Sequence, residues 1–302
     1  MTLIQRNHED DDPIDRSADA NAPALNIRVI THNIRYATKS PFKGEELWSI
    51  RRPRLCAQIK FNSVLPESFI CLQEVLHQQL LDILASLNPT SEMHQPEWKA
   101  IGVGRDDGKE AGEYSPILYR PDIWQLVGSS HRWLRPDYTS PGKGWDASSI
   151  RIITYARFQH KSSGRLVLLW NTHLDNNGAV ARLESVKLIL GWIRQVSDDV
   201  SSVILTGDFN SPPTDDAYSL MIASESPMED VASQVPESER YGNEITYTSF
   251  GHVDNSPARI DFIFARKSDE LKYNHFGVLA NRFDDAVYIS DHRACVADVS
   301  IL

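Results

Sequence analysis

A carboxylate and a carboxamide that could act in catalysis lie two residues apart, at Asp208 and Asn210 in the stretch VILTGDFNSPP. The apolar start of this stretch predicts a buried strand, and Gly207 allows the sharp turn from which the two side chains emerge. A carboxylate accepts a proton, whereas a carboxamide donates hydrogen bonds to an anion. Because Gly, Asp and Asn also dominate ordinary turns, a simple turn remains open for this segment alone.

Other predicted strands also end in polar side chains. The apolar runs at 27–31, 68–72 and 165–170 lead to Asn33, to Glu74, and to His173 and Asp175. A helical pattern follows Glu74 directly, and a carboxylate between a strand and a helix is aimed into a cleft above a sheet. His173 occupies the same strand-end position as Glu74 and Asp208. For Asp175, a turn or helix-cap role remains the alternative.

One carboxylate, Asp261, lies inside the apolar strand pattern 259–264, where an unpaired charge would be costly. It therefore needs a partner. The segment Ser290-Asp291-His292 precedes the final strand pattern at 294–299 and supplies His292. A buried Asp that fixes the tautomer and charge of a His is suited to stabilising an anionic transition state.

Helices and loops must position these strand ends. The hydrophobic spacing predicts helices that begin near Arg52 or cover 78–84, 181–196 and 215–221. We expect Pro53 in the first turn of its helix or at a kink. Loops are predicted at 131–146 and 225–243, an edge strand at 246–248, and a strand from Glu113 to Tyr119.

Aromatic residues of the 131–146 loop have two possible roles. Trp133, Tyr138 and Trp145 could stack on a substrate group, or they could anchor the loop to the body. Anchoring is the preferred interpretation for each. Because long loops often build a substrate pocket, Trp145 is also kept as a candidate substrate contact.

The composition predicts one domain with a tail. The chain has 302 residues, of which 41% are hydrophobic, and nothing marks a linker in its middle. We predict a disordered acidic tail at 1–25 and a single globular domain at 26–302. The net charge of −10 disfavours a nucleic acid held mainly by bulk electrostatics, although a local cationic cleft or a metal could still hold one.

The cysteines and the apolar runs exclude some classes. Cys56, Cys71 and Cys295 are far apart and form no Cys-x-x-Cys pair, so we expect buried thiols and no zinc site. The sequence has no run of 18 apolar residues and no apolar segment of a signal peptide at its start. A cytoplasmic or nuclear monomer that does not insert into membranes is therefore expected.

Six short motifs in a fixed order together resemble a known family. They are Asn33, Gln73-Glu74, Thr172-His173-Leu174, Gly207-Asp208-Phe209-Asn210, Arg259-Ile260-Asp261 and Ser290-Asp291-His292. The series resembles the endonuclease/exonuclease/phosphatase superfamily, which includes pancreatic deoxyribonuclease and abasic-site endonucleases. The resemblance implies an α/β fold, a four-layer α/β sandwich in which two mixed β-sheets pack face to face with helices outside.

The resemblance also implies a metal site. Glu74 would be the main ligand of Mg²⁺, for which Mn²⁺ can substitute, with Asn33 beside it and Asp291 near the metal. This assignment agrees with the preference of Mg²⁺ for oxygen ligands and for only one or two protein carboxylates.

The remaining motif residues would act on the phosphate. The resemblance implies that Asp208 orients or deprotonates the attacking water and that Asn210 holds a phosphoryl oxygen. His173 and His292 would contact the phosphate, with Asp261 paired to His292. The implied reaction is hydrolysis of a phosphodiester or phosphomonoester by in-line attack of an activated water.

Candidate substrate contacts come from a second set of residues, which are Arg151, Arg182, Asp175 and Trp145. Their surroundings resemble a less-studied bacterial and fungal branch of the superfamily. For the two arginines, salt bridges within the fold are an equal alternative to binding phosphate bidentately. The negative charge and the missing basic patch favour a phosphorylated small molecule over nucleic acid.

Two other functions stay open. The first is an exonuclease or endonuclease that acts on single-stranded or end-exposed nucleic acid. The second is a catalytically silent binding module, which is disfavoured because every expected site residue is present. Assays of phosphate esters beside a nucleic-acid panel would separate these functions.

Overall fold

Strands outnumber helices among the residues that the structure describes. The computed structural model describes residues 23–88, 96–252 and 256–302, so most of the predicted tail lies outside the described residues. The strands are β1 (Leu25–Asn33), β2 (Ser68–Gln73), β3 (Lys99–Ile101), β4 (Ile117–Tyr119), β5 (Trp124–Trp133), β6 (Ile152–His160), β7 (Leu166–His173), β8 (Ser202–Asp208), β9 (Met228–Asp230), β10 (Arg240–Gly242), β11 (Asp261–Arg266), β12 (Leu271–Val278) and β13 (Cys295–Ile301). The helices are α1 (Trp48–Asn62), α2 (His77–Leu87), α3 (Ala179–Ile193), α4 (Asp216–Met221) and α5 (Val231–Gln234).

The strands form two mixed sheets. The first has the order β10-β12-β13-β1-β2-β4-β3, and the second has the order β5-β6-β7-β8-β11-β9. In each sheet one central pair is parallel, β1 with β2 and β7 with β8, and a helix makes each crossover. Parallel neighbours end at the same edge of a sheet, so these pairs bring their last residues together.

The layers follow from where apolar side chains lie. Alternate residues of both sheets, such as Phe69 and Phe158, form the core between the sheets. The opposite face of the first sheet packs against α1 and α2, and that of the second sheet packs against α3 and α4. The predicted four-layer sandwich with helices outside is confirmed.

Helix α1 begins at Trp48, earlier than the predicted start near Arg52, so Pro53 lies in its second turn. The reason is the fully buried Arg51, whose guanidinium donates hydrogen bonds to the carbonyl oxygens of Ile34 and Ile289 at 2.8 and 2.9 Å. These contacts hold the added turn against the body and offset the hydrogen bond that proline cannot donate. Burial lowers the pKa of the Arg51 guanidinium.

Other predicted boundaries were wrong where tertiary contacts decide the structure. The 225–243 segment contains β9, α5 and β10, and β5 continues to Trp133 into the predicted loop. Residues 246–248 form no strand, since Tyr247 makes only isolated bridges to Ala258 and His292. The predicted strand from Glu113 is ordered as a strand only from Ile117.

Two further expectations concern the cysteines and membranes. The three cysteines are buried free thiols, as predicted. Among the described residues, no helix is long and apolar enough to cross a membrane.

Candidate active site

The site residues continue the inward-facing row of each central strand. Along β8 the side chains that face the other sheet are Ile204, Thr206 and Asp208, because alternate residues of a strand share one face. In β7 the same alternation leads from Leu169 through Asn171 to His173. The core between the sheets is therefore apolar in its middle and becomes polar at one end.

The first polar layer at this end connects the two sheets. Gln73 of the first sheet donates hydrogen bonds to Thr31 at 2.9 Å and to the Oδ1 atom of Asn171, in the second sheet, at 2.7 Å. Asn171 in turn donates to the Leu72 carbonyl oxygen at 2.8 Å, and Thr206 donates to Asn171 at 3.1 Å. Because buried amides need their partners, this layer fixes the position of one sheet against the other.

Three residues beyond this layer form a charged cluster. Asp208 and Asp261 lie opposite each other in the antiparallel pair of β8 and β11. His292 lies between them, with its Nδ1 atom 2.8 Å from Asp261 and its Nε2 atom 3.6 Å from Asp208. The predicted contact of Asp261 with His292 is therefore present.

Burial and charge shift the pKa values in this cluster. Burial and then the charge of Asp261 raise the pKa of Asp208 to about 7, well above its ordinary value of 3.8. Burial opposes protonation of His292, but the charges of Asp261 and Asp208 raise its pKa well above 6.5. Near neutral pH the cluster thus contains an imidazolium beside a carboxyl group that can gain or lose a proton.

A second acidic pair comes from the first sheet. Glu74 accepts hydrogen bonds from the Asn33 side chain at 3.0 Å and from the Tyr36 backbone N–H at 3.1 Å. The same Asn33 amide donates to Asp208 at 2.9 Å, so Asn33 joins the two acidic groups. Burial, with the nearby charge of Glu74, raises the pKa of Asp291.

His173 and Asn210 lie beside Asp208. The Asn210 amide donates to the His173 Nε2 atom and to the Leu174 carbonyl oxygen, each at 3.0 Å. With Nε2 as an acceptor, the Nδ1 atom of His173 carries the proton and faces Glu113 at 3.8 Å. Burial and the charges of nearby arginines hold the pKa of His173 well below 6.5, so this ring is neutral. As placed, Asn210 orients the His173 ring with one amide hydrogen, while the Leu174 carbonyl oxygen accepts the other.

Unusual backbone conformations occur at these strand ends. Glu74 and Asn210 have φ angles of 57° and 47°. A side chain at Gly207 would lie 2.2 Å from the Thr172 carbonyl oxygen, so only glycine fits at this position. A left-handed φ on a non-glycine residue costs about 1–3 kcal/mol, and such residues cluster at active sites.

The charged groups face a polar cleft with a volume of 530 Å³, within the range of sites for small molecules. Of the predicted site residues, its lining includes Glu74, Arg151, His173, Asp208, Asn210, Asp291 and His292. The lining residues that sequence reasoning missed are Arg35, Tyr36, Arg105, Glu113, Ser149, Asn176, Tyr247 and Ile260. Most of them lie in loops without a periodic pattern. Charge alone was the signal for Arg35, Arg105 and Glu113.

A wider groove of 1080 Å³ lies on the outer face of the first sheet. It contains Arg28 and Asp298, which pair with each other at 2.7 Å. None of the predicted site residues lines it, so we assign the functional site to the smaller cleft.

The four predicted substrate contacts do not all lie in the cleft. Only Arg151 lines the cleft, whereas Asp175, Arg182 and Trp145 do not. Asp175 is buried and accepts hydrogen bonds from the Ser148, Ser149 and Gly178 backbone N–H groups, and Arg182 pairs with Asp215 at 2.9 Å. Their placement corresponds to the structural alternatives, a turn that precedes α3 for Asp175 and a salt bridge for Arg182.

The aromatic residues of the 131–146 loop differ in their burial and contacts. Trp133 is buried and donates to the Arg105 carbonyl oxygen at 2.7 Å, and Tyr138 packs edge-on against Trp192. Both therefore anchor the loop. Trp145 is 38% exposed and has a left-handed φ of 49°.

Two sets of residues have donor atoms suited to a metal. Asp208, Asp261 and His292 offer one ligand atom each within 4.8 Å of one another. The second set is Glu74 with Asp291, two carboxyl groups close enough for the charge of one to raise the pKa of the other. A hard divalent cation between carboxylate oxygens would remove this repulsion, so the donors of the second set fit Mg²⁺.

The chain matches the family model described as Endonuclease/Exonuclease/phosphatase family over residues 30–292. An endonuclease/exonuclease/phosphatase structure from Bacteroides vulgatus is 33% identical with a TM-score of 0.80, and the match covers 92% of this chain and 100% of that one.

Two other proteins that are similar to this chain have individual names. A mannosyl-6-phosphatase structure from Bacteroides thetaiotaomicron is 29% identical with a TM-score of 0.77, and the match covers 90% of this chain and 99% of that one. Nocturnin of Drosophila melanogaster is 24% identical over 287 residues. That match covers 84% of this chain, which spans only 42% of the length of the fly protein.

Proposed function

The chain belongs to the endonuclease/exonuclease/phosphatase family, and from this membership and the geometry of the cleft we propose that it is a Mg²⁺-dependent hydrolase of phosphate esters. We propose further that its substrate is a compact phosphorylated small molecule. The observation that carries the proposal is the Asp208, Asp261 and His292 cluster, which faces the same cleft as Glu74 and Asp291.

Glu74 and Asp291 would hold the divalent cation, with Mn²⁺ able to replace Mg²⁺. When bound, the cation supplies positive charge to the phosphoryl oxygens and lowers the barrier by several kcal/mol. We assign the Asp208, Asp261 and His292 cluster to proton transfer instead. Its 2.8 Å contact between Asp261 and the His292 Nδ1 atom is a hydrogen bond, and the proton in it occupies the position that a metal would need.

Asp208 is the general base in this proposal. Its carboxyl group is held by the Asn33 side chain and by the Asn210 backbone N–H, each at 2.9 Å, which leaves it fixed at the edge of the cleft. A base works best when its pKa lies near the working pH, and the pKa of about 7 for Asp208 meets this condition. It would take a proton from the water that attacks phosphorus.

His292 is the electrostatic partner of this step. Asp261 fixes the ring through Nδ1 and favours the imidazolium, so the Nε2–H group can donate to a phosphoryl oxygen as negative charge develops there. His173 is neutral and its Nε2 atom is occupied by Asn210. We therefore propose that Asn210 reaches the phosphate only if its hydrogen bond to His173 is exchanged for one to a phosphoryl oxygen.

A small substrate is supported by the size of the cleft and by its charges. The cleft volume of 530 Å³ is typical of small-molecule sites, and each cleft arginine lies within 4 Å of a carboxylate. A duplex nucleic acid would need a surface of unpaired cations to neutralise its phosphates. The name of the similar mannosyl-6-phosphatase likewise refers to a sugar that carries a phosphate.

The test is a screen of phosphomonoesters, phosphodiesters and single-stranded oligonucleotides with Mg²⁺, Mn²⁺ or a chelator. We expect hydrolysis of small phosphate esters that requires the metal and is lost in Asp208→Asn and His292→Ala. Lys109→Ala, at an exposed position of the loop between β3 and β4, is the matched control and should keep wild-type activity.

Two results would contradict the proposal. A marked preference for oligonucleotides would favour a nuclease. Absence of turnover on all substrates, while phosphate esters still bind, would favour the silent binding module.

A further inference from the structure

Three buried nitrogen atoms around the cleft have no hydrogen-bond partner among the described residues. They are Nε of Arg105, Nη1 of Arg151 and Nδ1 of His173, and each carries a hydrogen. Arg151 is 5% exposed and His173 is 7% exposed, so these donors are largely withdrawn from bulk water. A buried donor without an acceptor costs about 1–3 kcal/mol, which suggests that an acceptor arrives from outside.

The three residues that carry these donors line one small pocket. It has a volume of 10 Å³, and Arg105, Glu113, Arg151 and His173 line both this pocket and the main cleft. We call it the side pocket. Its volume is about that of one water-sized sphere, so it has room for a single oxygen atom of a molecule bound in the cleft.

The charges around the side pocket cancel in pairs. Arg105 pairs with Glu113 at 2.6 Å, and the Nε atom of Arg151 lies 3.3 Å from Asp175. A second anionic group would therefore gain no excess positive charge. Burial and then the charge of Glu74 already raise the pKa of Glu113 to about 7, so further negative charge is disfavoured here. A hydroxyl group fits better, because it accepts from the free N–H groups and donates its own hydrogen to Glu113.

The distance from the reacting centre also suits a hydroxyl group of the same substrate. His173 separates the two places, with its Nε2 atom 3.5 Å from Asp208 and its Nδ1 atom 3.8 Å from Glu113. The side pocket is thus about one ring away from the proposed base. Ser149 and Asn176 line the cleft nearby and add further polar groups.

From this arrangement, and resting on the proposed function, we infer that the side pocket of Arg105, Glu113, Arg151 and His173 binds a hydroxyl group of the alcohol part of the ester. The substrates are then phosphate esters of sugars or other polyols. Esters of plain alkyl alcohols fill the cleft but leave the buried donors unsatisfied.

The experiment compares two phosphomonoesters of similar size, a hexose 6-phosphate and cyclohexylmethyl phosphate, which lacks the ring hydroxyl groups. A site built to bind a hydroxyl group rejects an analogue without it by as much as about 10⁴-fold. We expect kcat/KM to be at least about 100-fold higher for the hexose ester. Monodeoxy hexose phosphates then identify which hydroxyl group enters the side pocket.

Two variants test whether the side pocket causes this preference. Glu113→Gln keeps the size of the side chain but replaces a carboxylate with an amide, and Arg151→Lys keeps the charge but moves the donor. Each should lower kcat/KM for the hexose ester at least about tenfold more than for the cyclohexylmethyl ester, as expected for loss of a contact to the hydroxyl group. Lys109→Ala is the control from the same loop between β3 and β4 as Glu113 and should keep the wild-type preference.

The inference and the proposed function can fail separately. Equal kcat/KM for the two esters, or equal losses on both in Glu113→Gln, would overturn the inference while leaving a phosphoesterase. Hydrolysis of no ester with any metal would overturn the proposed function. The side pocket is then judged by calorimetry with the free hexose, whose binding should weaken in Glu113→Gln, and unchanged or absent binding would overturn the inference too.

Discussion

Replacing Asp208 with asparagine should abolish activity and yet stabilise the protein at alkaline pH. In the folded chain, burial and the charge of Asp261 raise the pKa of this carboxyl group from 3.8 to about 7. The folded state therefore holds a proton on Asp208 at pH values where the unfolded chain has released it. Keeping the charged form of Asp208 in the folded protein lowers its stability.

The sign and the size of the change in stability follow from the difference between the folded and unfolded pKa values of Asp208. Because the folded pKa is raised, the stability associated with protonated Asp208 is complete below pH 3.8 and is lost as the pH rises through about 7. A difference of about 3 pH units corresponds to about 4 kcal/mol. Asparagine cannot ionise, so the variant escapes this loss.

A second effect reduces the gain in stability expected for Asp208→Asn. Asp208 accepts a hydrogen bond from the Asn33 amide at 2.9 Å, and an asparagine there can place one N–H group against another. An unmet buried donor costs about 1–3 kcal/mol. This cost does not depend on pH between 4 and 8, so it shifts the whole curve and leaves the slope unchanged.

The assay is urea unfolding of both proteins between pH 4 and pH 8, with a chelator present to remove bound cations. The free energy of unfolding of Asp208→Asn minus that of the wild type should rise by about 4 kcal/mol from the acidic to the alkaline end. Asp216→Asn, an exposed carboxylate in the first turn of α4, is the control and should give a nearly flat difference. A flat difference for Asp208→Asn as well would refute the reasoning about its burial.

Three further predictions concern other parts of the site. In Glu74→Gln, loss of one hard ligand should raise the Mg²⁺ concentration for half-maximal activity at least about tenfold, measured by metal titration; an unchanged midpoint would place the cation elsewhere. In Asp261→Asn, the alkaline limb of the pH–rate profile should move to lower pH because the charge that holds the proton on His292 is gone. The double variant with His292→Ala should be little worse than His292→Ala alone, and fully multiplicative losses would separate the two residues. Asp175→Ala should lower the free energy of unfolding by about 3–5 kcal/mol in urea, since it leaves the buried Arg151 without its charge partner; a change as small as that of Asp216→Ala would contradict the buried pair.

The sequence was informative where local pattern and tertiary structure agree. The β7–α3–β8 unit was predictable because two apolar runs flank a helix with a continuous apolar side. The ends of β2, β7 and β8 then placed Glu74, His173 and Asp208 in the cleft, since a rigid strand fixes the direction of its side chains. Asp261 was predicted to need a partner from the cost of a buried charge, and the contact with His292 is present.

The rest depends on contacts between residues far apart in sequence. Strand β12 was missed because it is partly exposed and contains polar residues such as Lys272 and Asn274. The early start of α1 depends on Arg51, whose carbonyl partners include Ile289 at the other end of the chain. The side pocket was also unpredictable, because Arg105 and Glu113 are ordinary charged loop residues until the fold places them beside His173.

The hydrogen bond between Gln73 and Asn171 has a consequence for how such an enzyme can diversify. Purely apolar sheets can slide by exchanging one contact for another, whereas displacement here would leave two buried amides unmet. Recombination between relatives should therefore tolerate exchange of the surface loops more readily than exchange of one sheet. A chimera that inherits Gln73 without Asn171 would keep every catalytic side chain and still hold them at the wrong separation.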